Sequence, residues 1–164
     1  KSFGSDKEIN LEFHPYYLKQ YNNRWFVFGK NPLFENITNL ALDRLIKIEA
    51  LDKIFIETDI DFKDYFEDII GVTFKEKLQP TGITLRIDKS LWPYIETKPL
   101  HGSQKIVNNT NEFVDIKLEL IPNYELESLI LQHGEKIVIL EPMHLKEKIQ
   151  DRIQQLIKKY KCAE

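Results

Sequence analysis

The chain has 164 residues, of which 42% are hydrophobic and 30% charged, the balance of a globular domain or two small ones in water. That composition excludes a disordered tail and a fibrous repeat, and no apolar run approaches the roughly 18 residues a membrane-crossing helix needs. Twenty-three Lys and Arg against 26 Asp and Glu leave a formal net charge of −3, which excludes generic duplex binding through phosphate contacts and confines any anion to a local site. The opening Lys1-Ser2-Phe3-Gly4-Ser5 has no initiator Met and no apolar run after it, so it reads as the start of a fragment or processed piece without a secretion signal. A single cysteine, Cys162, cannot form an internal disulfide, and a reducing cytoplasm is the expected compartment.

In chain order, the first fifty residues carry β signals. Glu12 to Gln20 and Arg24 to Gly29 are β-prone runs around Asn22-Asn23, which predicts a hairpin because asparagine tolerates positive φ. Pro15 falls inside the first run, so that stretch is expected at an edge, a bulge or a strand start. From Ile37 to Ala50 the pattern alternates and predicts one further strand, with Leu40, Leu42, Ile46 and Ile48 on one face. Arg44 lies on that same face. Between Asp61 and Ile70 the period changes to that of a helix, with Phe62, Tyr65, Phe66, Ile69 and Ile70 as an apolar stripe, an aspartate at its start and Gly71 at its end.

After an interruption at Val72 to Pro80, the pattern predicts a second unit. Thr81 to Ile87 is a strand, Lys89 to Ile95 a short helix, and Gln104 to Val107 and Glu112 to Ile121 two strands joined by an asparagine-rich turn. Pro122-Asn123 opens a helix that Gly134 closes; Lys136 to Leu140 is a strand, and Pro142 begins a last helix striped by Leu145, Ile149, Ile153, Leu156 and Tyr160. This order of elements is that of a ferredoxin-like split βαβ fold.

Two stretches resemble known families. Pro15-Tyr16-Tyr17-Leu18-Lys19, Asn23-Arg24-Trp25-Phe26-Val27 and Leu40-Ala41-Leu42-Asp43-Arg44-Leu45 are similar to the WYL domain, whose Trp-Tyr-Leu run reads Trp-Phe-Val here. Leu100-His101-Gly102-Ser103-Gln104, Asn123-Tyr124-Glu125-Leu126 and the segment from Gly134 to Pro142 resemble WCX, the extension that follows WYL domains. The resemblance implies an α+β protein: residues 1–75 a partial Sm-like (SH3-like) small β-barrel with a trailing helix, residues 76–164 a ferredoxin-like extension. It also implies a non-enzymatic effector module of a bacterial transcription regulator. The ligand class it implies is single-stranded DNA or another nucleic-acid-derived anion. The family's first strand and its helix-turn-helix domain, which would read duplex DNA, are expected to precede Lys1. A second basic residue that the family often places before its arginine is absent, because Ala41 and Leu42 occupy those positions.

Several residues are candidates for contact with such an anion, and each has a bland counterpart. Arg44 either meets the ligand or packs its stem while its head pairs with Asp43 or a nearby glutamate. Arg24 and Lys19 can form a phosphate-facing patch, with Trp25, Tyr16, Tyr17 and Tyr21 as rings for stacking, the combination used by single-strand sites; Trp25 can equally be core. His14 can donate to a phosphate or to a neighbour. His101 and Gln104, with Ser103, lie in a polar loop that could reach a ligand held between the two domains, or is simply solvated.

Catalysis has little support. His133 and His144 lack a nucleophile nearby in sequence, Glu141 and His144 do not make a metal set, and no Gly-rich phosphate loop occurs, so no cofactor is expected. The rival readings are a module that only dimerises the regulator through an open sheet edge and, less favoured, an enzyme on a small α+β scaffold. A homodimer without membrane attachment is expected.

Overall fold

A computed structural model describes residues 8–74 and 78–162. The chain divides into two compact units, Lys1–Tyr65 and Phe66–Glu164. Of the interruption read at Val72 to Pro80, residues 75–77 lie outside the described residues.

The first unit is a three-stranded antiparallel meander, β1 (His14–Tyr21), β2 (Arg24–Lys30) and β3 (Ile37–Ala41), in the order β1-β2-β3. Asn22 and Asn23 both take left-handed backbone, with φ of 47° and 61°, which gives the two-residue turn whose twist suits a hairpin. The register slips between Pro15 and Tyr17; a proline that cannot donate to the ladder sits at a bulge. Gly29 is obligatory for a steric reason: a Cβ there would stand 2.2 Å from the His14 carbonyl oxygen and 2.7 Å from the Phe13 ring. Val27 and Phe28, adjacent and therefore on opposite faces, are both buried, so the middle of β2 is covered on both sides.

The alternating run from Ile37 to Ala50 is not one strand. Pairing with β2 stops at Ala41 opposite Phe26, and Leu42–Arg44 form a 3-10 turn. Beyond it Ile46 and Ile48 are 59% and 79% exposed. The turn brings Asp43 to the Arg24 guanidinium at 3.0 Å, a contact between strands that stands where the last two rungs of the ladder would have been. Among the described residues the meander stays open; no barrel closes.

The stripe read from Asp61 to Ile70 yields a shorter helix, α1 (Phe62–Glu67). Asp61 caps it, its carboxylate accepting from the Lys63 amide at 2.8 Å. Gly71, at φ 83°, then turns the chain, as a left-handed glycine does after a helix.

The second unit is a four-stranded antiparallel sheet with helices: β4 (Thr81–Asp88), α2 (Trp92–Thr97), β5 (Lys105–Asn109), β6 (Phe113–Leu120), α3 (Tyr124–Gln132), β7 (Ile137–Glu141) and α4 (Met143–Lys161). The sheet runs β5-β6-β4-β7. Inward alternation is complete on the central strands, where Ile83, Leu85, Ile87, Val114, Ile116, Leu118 and Leu120 are all fully buried. At about 1.5–3 kcal/mol for each such side chain, this layer dominates the stability of the unit. Trp92, Ile95, Leu126, Ile130, Leu145 and Ile149 complete the core from the helices. Asn123 caps α3 through the Leu126 amide at 2.9 Å and donates to the carbonyls of Ile70 and Thr73 at 2.7 and 3.1 Å. Glu125 accepts from the Thr73 amide at 3.1 Å and its hydroxyl at 2.8 Å. The start of α3 thereby fixes the segment that follows α1.

Candidate functional site

The hairpin register decides which candidate side chains share a face. Tyr17, Lys19 and Tyr21 stand opposite Phe28, Phe26 and Arg24, and directly opposed residues of an antiparallel pair project to the same side. Lys19 and Arg24 are therefore on one face with two tyrosines. Trp25 pairs with Gln20 and points the other way, 47% exposed beside Leu18 at 54%. The indole and the cations cannot serve one bound base together from the same face.

On the cationic face, Arg24 is held by Asp43, with the two side chains 42% and 51% exposed. Arg44, next in the 3-10 turn, is half-buried and makes contacts within the fold. The sequence reading offered Asp43 as a partner for Arg44; the structure gives it to Arg24. Arg24 is nevertheless tied to the turn that carries Arg44, since its partner Asp43 precedes Arg44 in that turn. Tyr17 stacks on Phe62 with centroids 5.0 Å apart and planes at 6°. Tyr16 lies edge-on to Phe55 at 5.8 Å, and burial raises its hydroxyl above the usual tyrosine pKa. Tyr21 closes the hairpin opposite Arg24.

His14 is buried and accepts from the Ile56 amide through Nδ1 at 3.1 Å. Its proton is thus on Nε2, which lies 3.5 Å from the Glu12 carboxylate, and its ring is 5.6 Å from Phe55. These contacts fasten the segment around Phe55 to β1. Lys53 also bonds Glu12 and holds that carboxyl below its usual range.

In the second unit the polar loop is internally tied. His101 Nδ1 lies 2.8 Å from the Ser103 hydroxyl, and Gln104 Oε1 accepts from the Leu100 amide at 3.0 Å. Ser103 bonds both the amide and the carbonyl of Glu119, docking the loop on β6.

Sequence reasoning missed a second polar cluster on the outward face of this sheet. Arg86 grips Asp115 with two bonds, Nε to Oδ1 at 2.8 Å and Nη2 to Oδ2 at 3.0 Å, and lies 3.6 Å from the centre of the Phe113 ring. Asn108 adds a bond at 3.3 Å. The guanidinium bond holds the Asp115 carboxyl below its usual pKa against the opposing effect of burial. The signal was present: Arg86 and Asp115 both fall at outward positions of facing strands. Among the described residues no group of three His, Cys, Asp or Glu could hold a metal ion, and no helix is long and apolar enough to cross a membrane.

Residues 79–157 match the WCX domain model. The matched segment spans the four-stranded sheet, α2, α3 and most of α4. No curated protein matches the chain. Among solved structures, proteasome accessory factor B/C (PafBC) of Arthrobacter aurescens is similar over 94% of this chain, at 16% identity and a TM-score of 0.39. The chain spans 23% of that protein's length.

Proposed function

We propose that this chain is the effector-sensing part of a transcription regulator: a WYL-type unit, built as part of an Sm-like small barrel, followed by a ferredoxin-like WCX domain. The match of residues 79–157 to WCX carries the reading. It is supported by the sheet order β5-β6-β4-β7, in which the parallel strands β4 and β5 are separated by β6 as in a split βαβ unit. The module is non-enzymatic and cytoplasmic, and it acts on duplex DNA only through a domain outside this chain.

The effector is an anion, a single-stranded oligonucleotide or a nucleotide, that competes with Asp43 for Arg24. An exposed ion pair is worth only about 0.2–1 kcal/mol, whereas a charge-assisted bond to a ligand contributes about 1.5–3 kcal/mol. Because the exposed pair costs little to break, an effector that makes further contacts on the same face displaces Asp43 from Arg24 and releases the turn that carries Asp43 and Arg44. An effector acts only through its difference in affinity for the two states of that turn. The test is fluorescence anisotropy with a labelled ten-nucleotide single strand and a labelled cyclic dinucleotide. Arg24→Ala should weaken binding about tenfold, about 1.4 kcal/mol, and Asp43→Asn should strengthen it. No binding by either probe, or binding indifferent to Arg24, refutes the sensor.

One observation favours the second reading, a dimerisation module without a small ligand. All five residues of the edge strand β5 are exposed, with Ile106 and Val107 at 52% and 55%, and such edges pair with other chains. Light scattering that gives a homodimer, lost with Val107→Lys and unaccompanied by nucleotide binding, would select it.

A further inference from the structure

We propose that the last two turns of α4 are a docking surface for an acidic amphipathic helix of a partner protein. The helix is 19 residues long, yet only Leu145 and Ile149 are buried. The same stripe continues through Ile153, Leu156, Ile157 and Tyr160, which are 41%, 52%, 48% and 73% exposed. Their spacing, i, i+3, i+4 and i+7, is that of the anchors by which one helix packs on another. At about 1.5 Å per residue, the stripe runs about 16 Å past Ile149.

The charge around the stripe states what fits it. From Arg152 to Lys161 the helix has no carboxylate and, besides Arg152, which Glu127 holds, three lysines. At about 100° per residue, Lys159 falls on one border of the stripe and Lys161 on the other. A partner helix with carboxylates flanking its apolar face is complementary along both borders. A second copy of this chain is not, since pairing two such stripes sets lysine borders against the cations or glutamines of the other copy.

Direction excludes a flat surface. The exposed stripe shares its face with Leu145 and Ile149, which are sunk in the core of the second unit. It therefore looks back toward the body that the first half of α4 packs against. A bilayer plane laid along that face would meet the body in which Leu145 and Ile149 are buried, whereas a helix about 10 Å across needs only the stripe itself.

The experiment uses the 164-residue chain and two fluorescein-labelled helical peptides with leucine at i, i+3, i+4, i+7 and i+11, one flanked by glutamate and one by lysine. The glutamate peptide should bind at least tenfold tighter at low salt, and this preference should shrink as salt screens it. Leu156→Asp with Ile157→Asp should abolish binding without moving the melting temperature, because both side chains are about half exposed. Lys159→Glu with Lys161→Glu should transfer the preference to the lysine peptide. Equal affinity for the two peptides, no binding of either, binding to anionic vesicles that the same variants abolish, or a dimer in sedimentation that Leu156→Asp with Ile157→Asp dissociates would each overturn the proposal.

Discussion

Glu127 presents the sharpest energetic test of the second unit. Its side chain is 5% exposed, between Lys148 Nζ at 2.5 Å and Arg152 Nη1 at 3.0 Å, whose side chains are 53% and 33% exposed. The asymmetry in burial fixes the asymmetry in cost. Removing one cation leaves the other in place and exchanges a partly screened contact for water, about 0.2–1 kcal/mol. Removing both, as Lys148→Met with Arg152→Met, strands a buried carboxylate, which costs about 3–5 kcal/mol. The two single losses sum to about 2 kcal/mol at most, so the double variant should show a coupling of at least about 1 kcal/mol. For a unit of this size 1 kcal/mol shifts the melting temperature by about 4–8 °C, so the double variant should melt at least about 12 °C lower. Adding Glu127→Leu to it should restore most of the loss, since an apolar replacement of a buried ionic cluster is often neutral or stabilising. Urea unfolding at pH 7 of the two single, the double and the triple variants measures every term. Strict additivity of the two single variants, or a triple variant no more stable than the double, would refute the argument that Glu127 depends on its cations.

Three further outcomes follow from the geometry. Gly29→Ala should destabilise the first unit by about 1–3 kcal/mol, because the added Cβ meets the His14 carbonyl at 2.2 Å; thermal melting checks it. Asn23→Val should cost about 1–2 kcal/mol, the penalty for a β-branched residue in left-handed backbone, read as loss of hairpin amide protection in hydrogen exchange. Asp115 has its carboxyl held low by Arg86, so the stability it lends is complete above the ordinary aspartate value near about 3.9 and is lost as pH falls through the lower folded value. Asp115→Asn should therefore flatten the acid limb of the stability profile and leave its slope above pH ~5 unchanged.

The elements that could be read from the chain are those whose signal is local. Ile83, Leu85 and Ile87 alternate because their strand has one buried face, and the spacing alone says so. Asn22-Asn23 names its turn because few residues other than glycine accept positive φ at two successive positions. Alternation misled where burial did not follow it. Ile46 and Ile48 continue the period of Leu40 and Leu42, but the chain had already left the sheet at Ala41 to bring Asp43 to Arg24. That departure brings Asp43 to a residue of another strand, nineteen positions earlier, and no periodicity encodes it. The open state of the meander is a matter of which strands meet, also non-local.

The same distinction governs the candidate site. Adjacency in sequence put Arg24 beside Trp25, yet a strand sends neighbours to opposite faces, and the register joins Arg24 to Tyr21 and Lys19 instead. Arg44 drew attention as a charge within an apolar alternation, but that alternation ends before it, so its position no longer implies a buried guanidinium in a strand. What remains informative is Asp43. It connects Arg24 to the turn that carries Arg44 and is half exposed, so under the proposed reading an incoming anion would meet both the cation and its competitor. A site made of two cations alone would bind an anion without moving anything. One in which the anion displaces a carboxylate from its partner couples binding to the position of a turn, and that coupling is what a sensor requires.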